Sequence, residues 1–135
     1  MSGICNNRVV IVTGAGGGLG AAYAKAFAAE GAKVVVNDIN RDAAQRTVDA
    51  IKAAGGDAVV NTSNITDYAD SLNAVQQAVQ TYGDLHVVVN NAGICRDKMF
   101  ASMTEADWDA VISVHLKGHF CIASHAVHYW RDQTK

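Results

Sequence analysis

The chain of 135 residues is long enough for one domain with a core, and 50% hydrophobic and 18% charged residues are typical of a globular protein. Its net charge of −2 and its scattered Lys and Arg residues give no attraction for nucleic acid or an anionic membrane. Three widely spaced cysteines without a CxxC pair predict free thiols in a reducing compartment. No signal peptide and no run of ~18 apolar residues is found, so we expect a cytoplasmic protein.

The first predicted element is a strand at residues 9–13, which runs into the glycine-rich loop Thr13-Gly14-Ala15-Gly16-Gly17-Gly18-Leu19-Gly20. A predicted helix at residues 19–30 follows directly. Glycine lets a backbone turn sharply and lets a ligand approach it closely. The first turn of the helix carries unpaired N–H groups and a partial positive charge. The order of strand, glycine loop and helix therefore predicts a phosphate site.

The second predicted strand, residues 33–38, ends in Asp38, which lies 18 residues after Gly20. A carboxylate at this position can accept hydrogen bonds from both ribose hydroxyls of an adenosine, and it repels a 2′-phosphate. The glycine loop alone could be a tight turn without a ligand. Its combination with Asp38 predicts a dinucleotide site instead. The loop lacks the Gly-Lys-Ser/Thr ending of a P-loop, so an ATPase is disfavoured.

The same alternation continues to the end of the chain. We predict helices at residues 41–54 and 68–82, strands at residues 58–61 and 85–90, a loop at residues 91–103, and a last helix from about 104 to 130. Strands separated by helices pair in parallel with right-handed crossovers. The predicted fold is therefore α/β, a Rossmann-like doubly wound parallel sheet with strand order 3-2-1-4 in a single domain over residues 1–135. The turns after strands one and four then face the same crevice.

Thr13-Gly14-x-x-x-Gly18-x-Gly20, combined with Asn90-Asn91-Ala92-Gly93, resembles the short-chain dehydrogenase/reductase superfamily over essentially the whole chain. Details of residues 35–38, 93–98 and 107–109 are similar to a narrower branch. That branch contains the hydroxyacyl-CoA dehydrogenase domain of multifunctional β-oxidation enzymes and related bacterial reductases. The resemblance implies an NAD-dependent oxidoreductase that moves a hydride between nicotinamide and a secondary alcohol or ketone, with a 3-hydroxyacyl thioester as the narrower candidate.

The resemblance also implies roles for individual positions. The residues that would line the pyrophosphate are Gly14, Gly18, Leu19 and Gly20, and those that would hold the adenosine ribose are Asp38 and Ile39. The residues that would face adenine are Asn64 and Ile65, and those that would run beside the nicotinamide ribose are Asn91, Ala92 and Gly93. Gly17 and Ile39 stand where NADP-binding relatives tend to carry a basic residue, so NAD is favoured over NADP.

The sequence departs from the family pattern in its catalytic residues. The Ser and the Tyr-x-x-x-Lys pair of the family lie downstream of strand four, and no tyrosine up to Lys135 has a Lys four residues later. We therefore expect this chain to be truncated before strand five and to be inactive alone. A shortened recombinant chain, proteolysis and an interrupted gene remain open as the cause. His115 replaces the usual relay Asn of the family, either as a proton relay or as a buried, hydrogen-bonded histidine.

Three functions remain open from the sequence: a part of an NAD-dependent oxidoreductase, a catalytically silent NAD-binding module, and an interaction subunit completed by another chain. The pairs His115/His119 and His125/His128 have helical spacing that can bind a metal, but no third ligand has matching spacing, so no metal is expected. Apolar residues on two faces of helix 104–131 predict a homo-oligomer. One stripe contains Ile112, Leu116, Phe120, Ala123, Val127 and Trp130, the other contains Trp108, Val111, Ile122 and Tyr129, and Gly118 would let a partner helix approach closely.

Overall fold

The computed structural model describes residues 3–133. Its elements are β1 (Val9–Thr13), α1 (Gly18–Ala29), β2 (Lys33–Asn37), α2 (Arg41–Ala53), β3 (Asp57–Asn61), α3 (Tyr68–Tyr82) and β4 (Val87–Val89), followed by a 3₁₀ turn (Phe100–Ser102), α4 (Glu105–Ile112), a π-helical turn (Ser113–Lys117) and α5 (Gly118–Arg131). The sheet is parallel with the order β3-β2-β1-β4. The predicted fold class and strand order are confirmed.

Alternate residues of the central strands pack on the two faces of the sheet. Val10 and Val12 of β1 pack with α1 and α2, whereas Val9 and Ile11 pack with α3 and α5. All five residues of β1 are buried. Continuous burial explains the unbroken valine-rich runs, since a parallel strand covered on both faces has no solvent side that needs polar residues.

The fourth strand is shorter than predicted, and side chains bond to the backbone at both of its ends. His86 Nδ1 accepts a hydrogen bond from the backbone N–H of Val9 at 2.9 Å. At the other end, the hydroxyl of Thr13 accepts from the backbone N–H of Asn91 at 3.1 Å. The prediction of a strand over residues 85–90 is therefore wrong at its ends.

The last helical region contains a π-helical turn that the sequence did not predict. The N–H of Gly118 bonds to the carbonyl of Ser113, five residues earlier. This wide turn shifts the phase of the side chains that follow it. Trp108 and Ile122, predicted to share a face, consequently separate: Trp108 is 57% exposed and Ile122 is 0% exposed.

The other apolar stripe of the same region stays on the surface. Ile112, Leu116, Phe120 and Val127 are 37%, 66%, 62% and 54% exposed. Gly118 is buried, and a Cβ there would lie 2.9 Å from Cδ1 of Ile65. Gly118 thus allows α5 to approach Ile65 of its own chain, which corrects the expectation that it faces a partner helix.

Candidate dinucleotide-binding site

The glycine loop turns back on itself between β1 and α1. Gly14 has a φ of +62°, a conformation that L side chains rarely adopt, and a Cβ there would lie 2.9 Å from the Cα of Ala92. A Cβ on Gly20 would collide with the carbonyl oxygen of Gly14. The two glycines therefore let the start of α1 press against its own loop and let that loop press against the turn after β4.

The N-terminus of α1 differs from those of the neighbouring helices. Asn40, Asp67 and Thr104 cap α2, α3 and α4, and each side chain accepts a hydrogen bond from a backbone N–H of the first turn. No side chain caps α1 at Gly17, and its first turn contains no acidic residue. The backbone N–H groups at the start of α1 thus face no competing anion, as binding of a phosphate requires.

Space for a ligand lies above these N–H groups. A Cβ built on Gly17 or Gly18 meets no atom within 4 Å. The loop is therefore closed toward β4 and α2 but open above the helix terminus. This geometry fits a phosphate group held by the backbone, as the loop sequence predicts.

Asp38 follows β2 and lies beside the loop. Its Oδ2 accepts a hydrogen bond from the backbone N–H of Gly16 at 2.9 Å, and its Oδ1 accepts one from the backbone N–H of Asn40 at 2.9 Å. Each carboxylate oxygen has a further lone pair. The carboxylate is therefore fixed in orientation and still able to accept two ribose hydroxyls.

A network of buried amides, missed by the sequence analysis, supports the far side of the crevice. Asn37 is 2% exposed, and its Nδ2 donates to Oδ1 of Asn61 at 2.7 Å and to the carbonyl of Ser63 at 3.1 Å. The register places Thr13, Asn37 and Asn61 side by side at the carboxyl end of the sheet. The available signal was that each of these buried strands ends in a polar residue.

The loop after β3 brings Asn64 and Ile65 to the crevice, but Asn64 differs from the expectation. Its Oδ1 already accepts from the backbone N–H of Thr66 at 3.0 Å and from the Thr66 hydroxyl at 2.7 Å. Because both partners require an acceptor, they fix the orientation of the amide. The side chain of Asn64 shapes the loop, and both bonds from Thr66 leave its oxygen without a free lone pair for adenine.

Thr13 and Asn91 join the two turns that meet at the crevice. The Thr13 hydroxyl accepts from the backbone N–H groups of Asn91 and Ala92 at 3.1 and 3.0 Å. In return, Nδ2 of Asn91 donates to the carbonyls of Thr13 and Gly14 at 3.1 and 3.3 Å. Asn91 therefore acts chiefly as a clamp on the glycine loop.

Two histidines hold the segment after Asn91 from the other side. Nε2 of His115 lies 3.0 Å from the backbone nitrogen and 2.8 Å from the carbonyl oxygen of Ile94. Nε2 of His119 lies 3.0 Å from the carbonyl oxygen of Ala92. A Cβ on Gly93 would lie 2.5 Å from Cε1 of His115. His115 is exposed rather than buried, but it is hydrogen-bonded as the second alternative expects, and it contacts the predicted nicotinamide side of the crevice.

The start of α4 anchors the other end of this loop. Lys98 Nζ contacts Oδ2 of Asp107 at 2.7 Å, and Asp107 also completes a capping box with Thr104. The Lys98 ammonium, followed by the hydrogen bonds of Thr104, lowers the pKa of Asp107 to about 2. This capping box begins α4 and holds the loop that leads away from the crevice.

A cavity of about 220 Å³ collects most of these residues. It is lined by Gly14, Asn37, Asp38, Ile39, Ser63, Asn64, Ile65, Thr66, Ala92, Gly93, Ile94 and Val114. Of the predicted site residues, Gly18 and Leu19 lie outside this lining, at the start of α1. Gly20 and Asn91 act beneath the loop, and His115 lies behind Gly93.

Metal binding finds no support between residues 3 and 133, where no group of three or more His, Cys, Asp or Glu side chains could hold an ion. His125, one of the pair with metal-like spacing, instead hydrogen bonds to the carbonyl of Tyr68 at 2.6 Å. The cysteines of this part are free, as predicted, and burial raises the pKa of the Cys121 thiol. None of the helices described is both long and apolar enough to span a bilayer.

Comparison with known proteins gives consistent matches. The family profile described as short chain dehydrogenase matches residues 8–135. A short chain dehydrogenase from Mycobacterium avium has a solved structure that is 56% identical with a TM-score of 0.92, and the match covers 96% of this chain and 48% of that one.

Two curated proteins show the same partial coverage. The peroxisomal multifunctional enzyme A of Dictyostelium discoideum is 44% identical over 95% of this chain and 30% of its own length. The hydroxyacyl-CoA dehydrogenase ChsB1 of Mycobacterium tuberculosis is 45% identical over 96% of this chain and 42% of its own length. The chain thus spans less than half of the length of each relative.

The Thr13 clamp can be tested by the substitution Thr13→Val, which keeps the shape of the side chain. It leaves the backbone N–H of Ala92 without its acceptor, whereas that of Asn91 keeps the carbonyl of Val89 at 3.0 Å. An unsatisfied buried group costs about 1–3 kcal/mol, so we expect a loss of roughly that size in the free energy of unfolding. Urea denaturation measures it. Thr62→Val, at an exposed position on the neighbouring loop, is the control. Equal stability of the two variants would show that the clamp contributes nothing.

Proposed function

The chain belongs to the short chain dehydrogenase family, and on that premise we propose that it forms the NAD-binding part of an oxidoreductase. The fixed Asp38 carboxylate carries this proposal. Residues 8–135 match the family and the chain covers 48% of the Mycobacterium avium structure, which supports a cofactor-binding half within a longer fold. A catalytically silent binding module or interaction subunit is the alternative that the experiments below distinguish.

We propose that the crevice binds a dinucleotide along its length. Backbone N–H groups at the start of α1 would hold the pyrophosphate, and Asp38 would accept the hydroxyls of the adenosine ribose. Ile65 would contact the adenine, and Ala92 and Gly93 would run beside the second ribose. Bound NAD would supply the hydride acceptor, while these residues bind and orient it.

NAD is favoured over NADP by charge and by position. Both oxygens of Asp38 are held by backbone donors beside the cavity, so the carboxylate cannot easily turn away from a 2′-phosphate. Burying the two negative charges together would be unfavourable. Arg41 also lies in this region, lining a separate polar pocket with Asp70 and Asn73. Asp38, and not Arg41, lines the cavity that also contains Gly14.

His115 is proposed as a proton-relay residue of the complete enzyme. Its Nε2 is within hydrogen-bond distance of both the N–H and the carbonyl of Ile94, so it can bond in either tautomer. The substrate of the complete enzyme would be a secondary alcohol or ketone. A 3-hydroxyacyl thioester is favoured because the Mycobacterium tuberculosis relative is named a hydroxyacyl-CoA dehydrogenase. The relative from Dictyostelium discoideum is named a peroxisomal enzyme, and a cytoplasmic location for this chain stays a prediction.

A second copy of the chain is the proposed partner of the exposed stripe formed by Ile112, Leu116, Phe120 and Val127. These side chains lie four or seven residues apart on the helical region, and all four are at least 37% exposed. Exposed apolar stripes of this kind are typical of interaction surfaces.

Cofactor choice is tested by Asp38→Ala, with Asp42→Ala as the control that removes a nearby charge outside the crevice. Loss of hydrogen bonds to a charged group costs about 1.5–3 kcal/mol each, so NAD should bind at least about tenfold more weakly. The preference for NAD over NADP should fall as well. Dissociation constants for both cofactors provide the measurement. Equal or tighter NADP binding by the unmodified chain would refute the proposal.

Assembly is tested by light scattering at micromolar concentration. We expect the unmodified chain to be a dimer or tetramer, and the double variant Leu116→Glu/Phe120→Glu to be monomeric, because two buried carboxylates would face each other across the stripe. Ile4→Glu, at a position 90% exposed and outside the stripe, is the control. A monomeric unmodified chain would contradict the proposed interface.

Catalysis by the chain alone should be absent at ordinary enzyme rates. General acid–base help is worth roughly 10²–10⁴ in rate, and the chain contains no Tyr-x-x-x-Lys pair to give it. The assay is NADH formation from secondary alcohols and 3-hydroxyacyl thioesters by a preparation of confirmed 14.2 kDa mass. Turnover would place the catalytic residues within this chain, with His115 as the first to substitute.

A further inference from the structure

We propose that Gly16 is a positioning residue for cofactor discrimination: its N–H and its lack of a side chain together set the Asp38 carboxylate in the orientation that accepts NAD and rejects NADP. This inference rests on the proposed NAD preference. It adds a residue that is not among the predicted contacts, since Gly16 acts through Asp38.

The carboxylate is held from two sides by backbone donors. Gly16 donates to Oδ2 and Asn40 donates to Oδ1, both at 2.9 Å. One donor comes from the loop before α1 and the other from the residue that caps α2. Two such bonds fix both torsion angles of the Asp38 side chain, because rotation about either would break at least one bond.

The position requires glycine because of space. A Cβ on Gly16 would lie 2.7 Å from Oδ2 of Asp38 and 2.7 Å from the Cβ of Ala43. Real Cβ atoms essentially never approach this closely, so something must move. Ala43 is fixed in the first turn of α2, where its N–H donates to Asn40. The Asp38 side chain is the group that can rotate away.

Backbone strain does not enter this comparison. Gly14 and Gly18 have positive φ values, whereas Gly16 does not, so an alanine at position 16 keeps an ordinary backbone conformation. The substitution Gly16→Ala therefore tests the contact with the carboxylate rather than the path of the loop.

The experiment measures dissociation constants for NADH and NADPH on the purified chain. We expect Gly16→Ala to weaken NADH and to reduce the preference over NADPH by about tenfold, the effect of one hydrogen bond to a charged group. Asp42→Ala, at an exposed position in the first turn of α2 outside the crevice, is the control and should leave the ratio of the two constants unchanged.

The variant Asp38→Ala makes the test specific. In that background, Gly16→Ala should no longer change the ratio of the two constants, because the carboxylate through which it acts is gone. A ratio that Asp38→Ala lowers and Gly16→Ala leaves intact would overturn this inference and leave the proposed function standing. A ratio that Asp38→Ala does not alter would overturn the proposed function itself.

Two further measurements cover a Gly16→Ala chain that fails to fold. Ala43→Gly removes the second close contact, so Gly16→Ala can be examined in that background, with Ala43→Gly alone as its reference. Amide hydrogen exchange gives an independent readout. The N–H groups of Gly16 and Asn40 should lose protection in Asp38→Ala, and unchanged protection of Gly16 would contradict the proposed hydrogen bond.

Discussion

The site depends on glycines at the points where the loop contacts its neighbours, because a side chain there would prevent the contact. The loop lies against Ala92 at Gly14 and against its own carbonyl at Gly20, and a Cβ at either position would force them apart. Because the loop packs this closely against its neighbours, Thr13 and Asn91 can hydrogen bond across the contact and join the turns after β1 and β4. The base of the crevice is therefore a close contact between two turns, with open space above the start of α1.

A second constraint comes from the register of the parallel sheet. Buried strands end together at one edge, so their terminal polar residues form a row there. Within that row Asn37 donates to Oδ1 of Asn61 and to the carbonyl of Ser63, which supports the loop that carries Ile65. A polar residue at the end of a buried strand costs little when its neighbour in the sheet supplies the partner. The apolar strands thus build the core, and their ends build the site.

The sequence predicted the fold because apolar runs that alternate with helical patterns allow few topologies. A parallel sheet covered by helices on both faces buries all of these runs. The sequence also predicted which segments meet, since the carboxyl ends of β1 and β4 must adjoin in that order. What it could not predict depends on atoms rather than on segments. The oxygen of Asn64 is taken by Thr66, and the π-helical turn separates Trp108 from Ile122. Neither a local hydrogen bond of this kind nor one extra residue in a helical turn leaves a mark on hydrophobic periodicity.

The groove between α3 and α5 is an internal comparison for the proposed binding of a dinucleotide beside the glycine loop and Asp38. It has a volume of about 320 Å³ and contains Gln76, His125 and His128, but it has neither the glycine loop nor an aspartate held by backbone donors. In this groove, Nε2 of His125 is hydrogen-bonded to the carbonyl of Tyr68. Binding of a dinucleotide should therefore distinguish this groove from the crevice beside the glycine loop.

The most direct measurement is a titration of the ¹⁵N-labelled chain with NAD⁺, followed by the amide signal of each residue. We expect saturable shifts at the start of α1, around Asp38 and at residues 92–94, with the amides of Gln76 and His128 unmoved. Absence of saturable shifts, or shifts confined to the groove between α3 and α5, would contradict the proposed site.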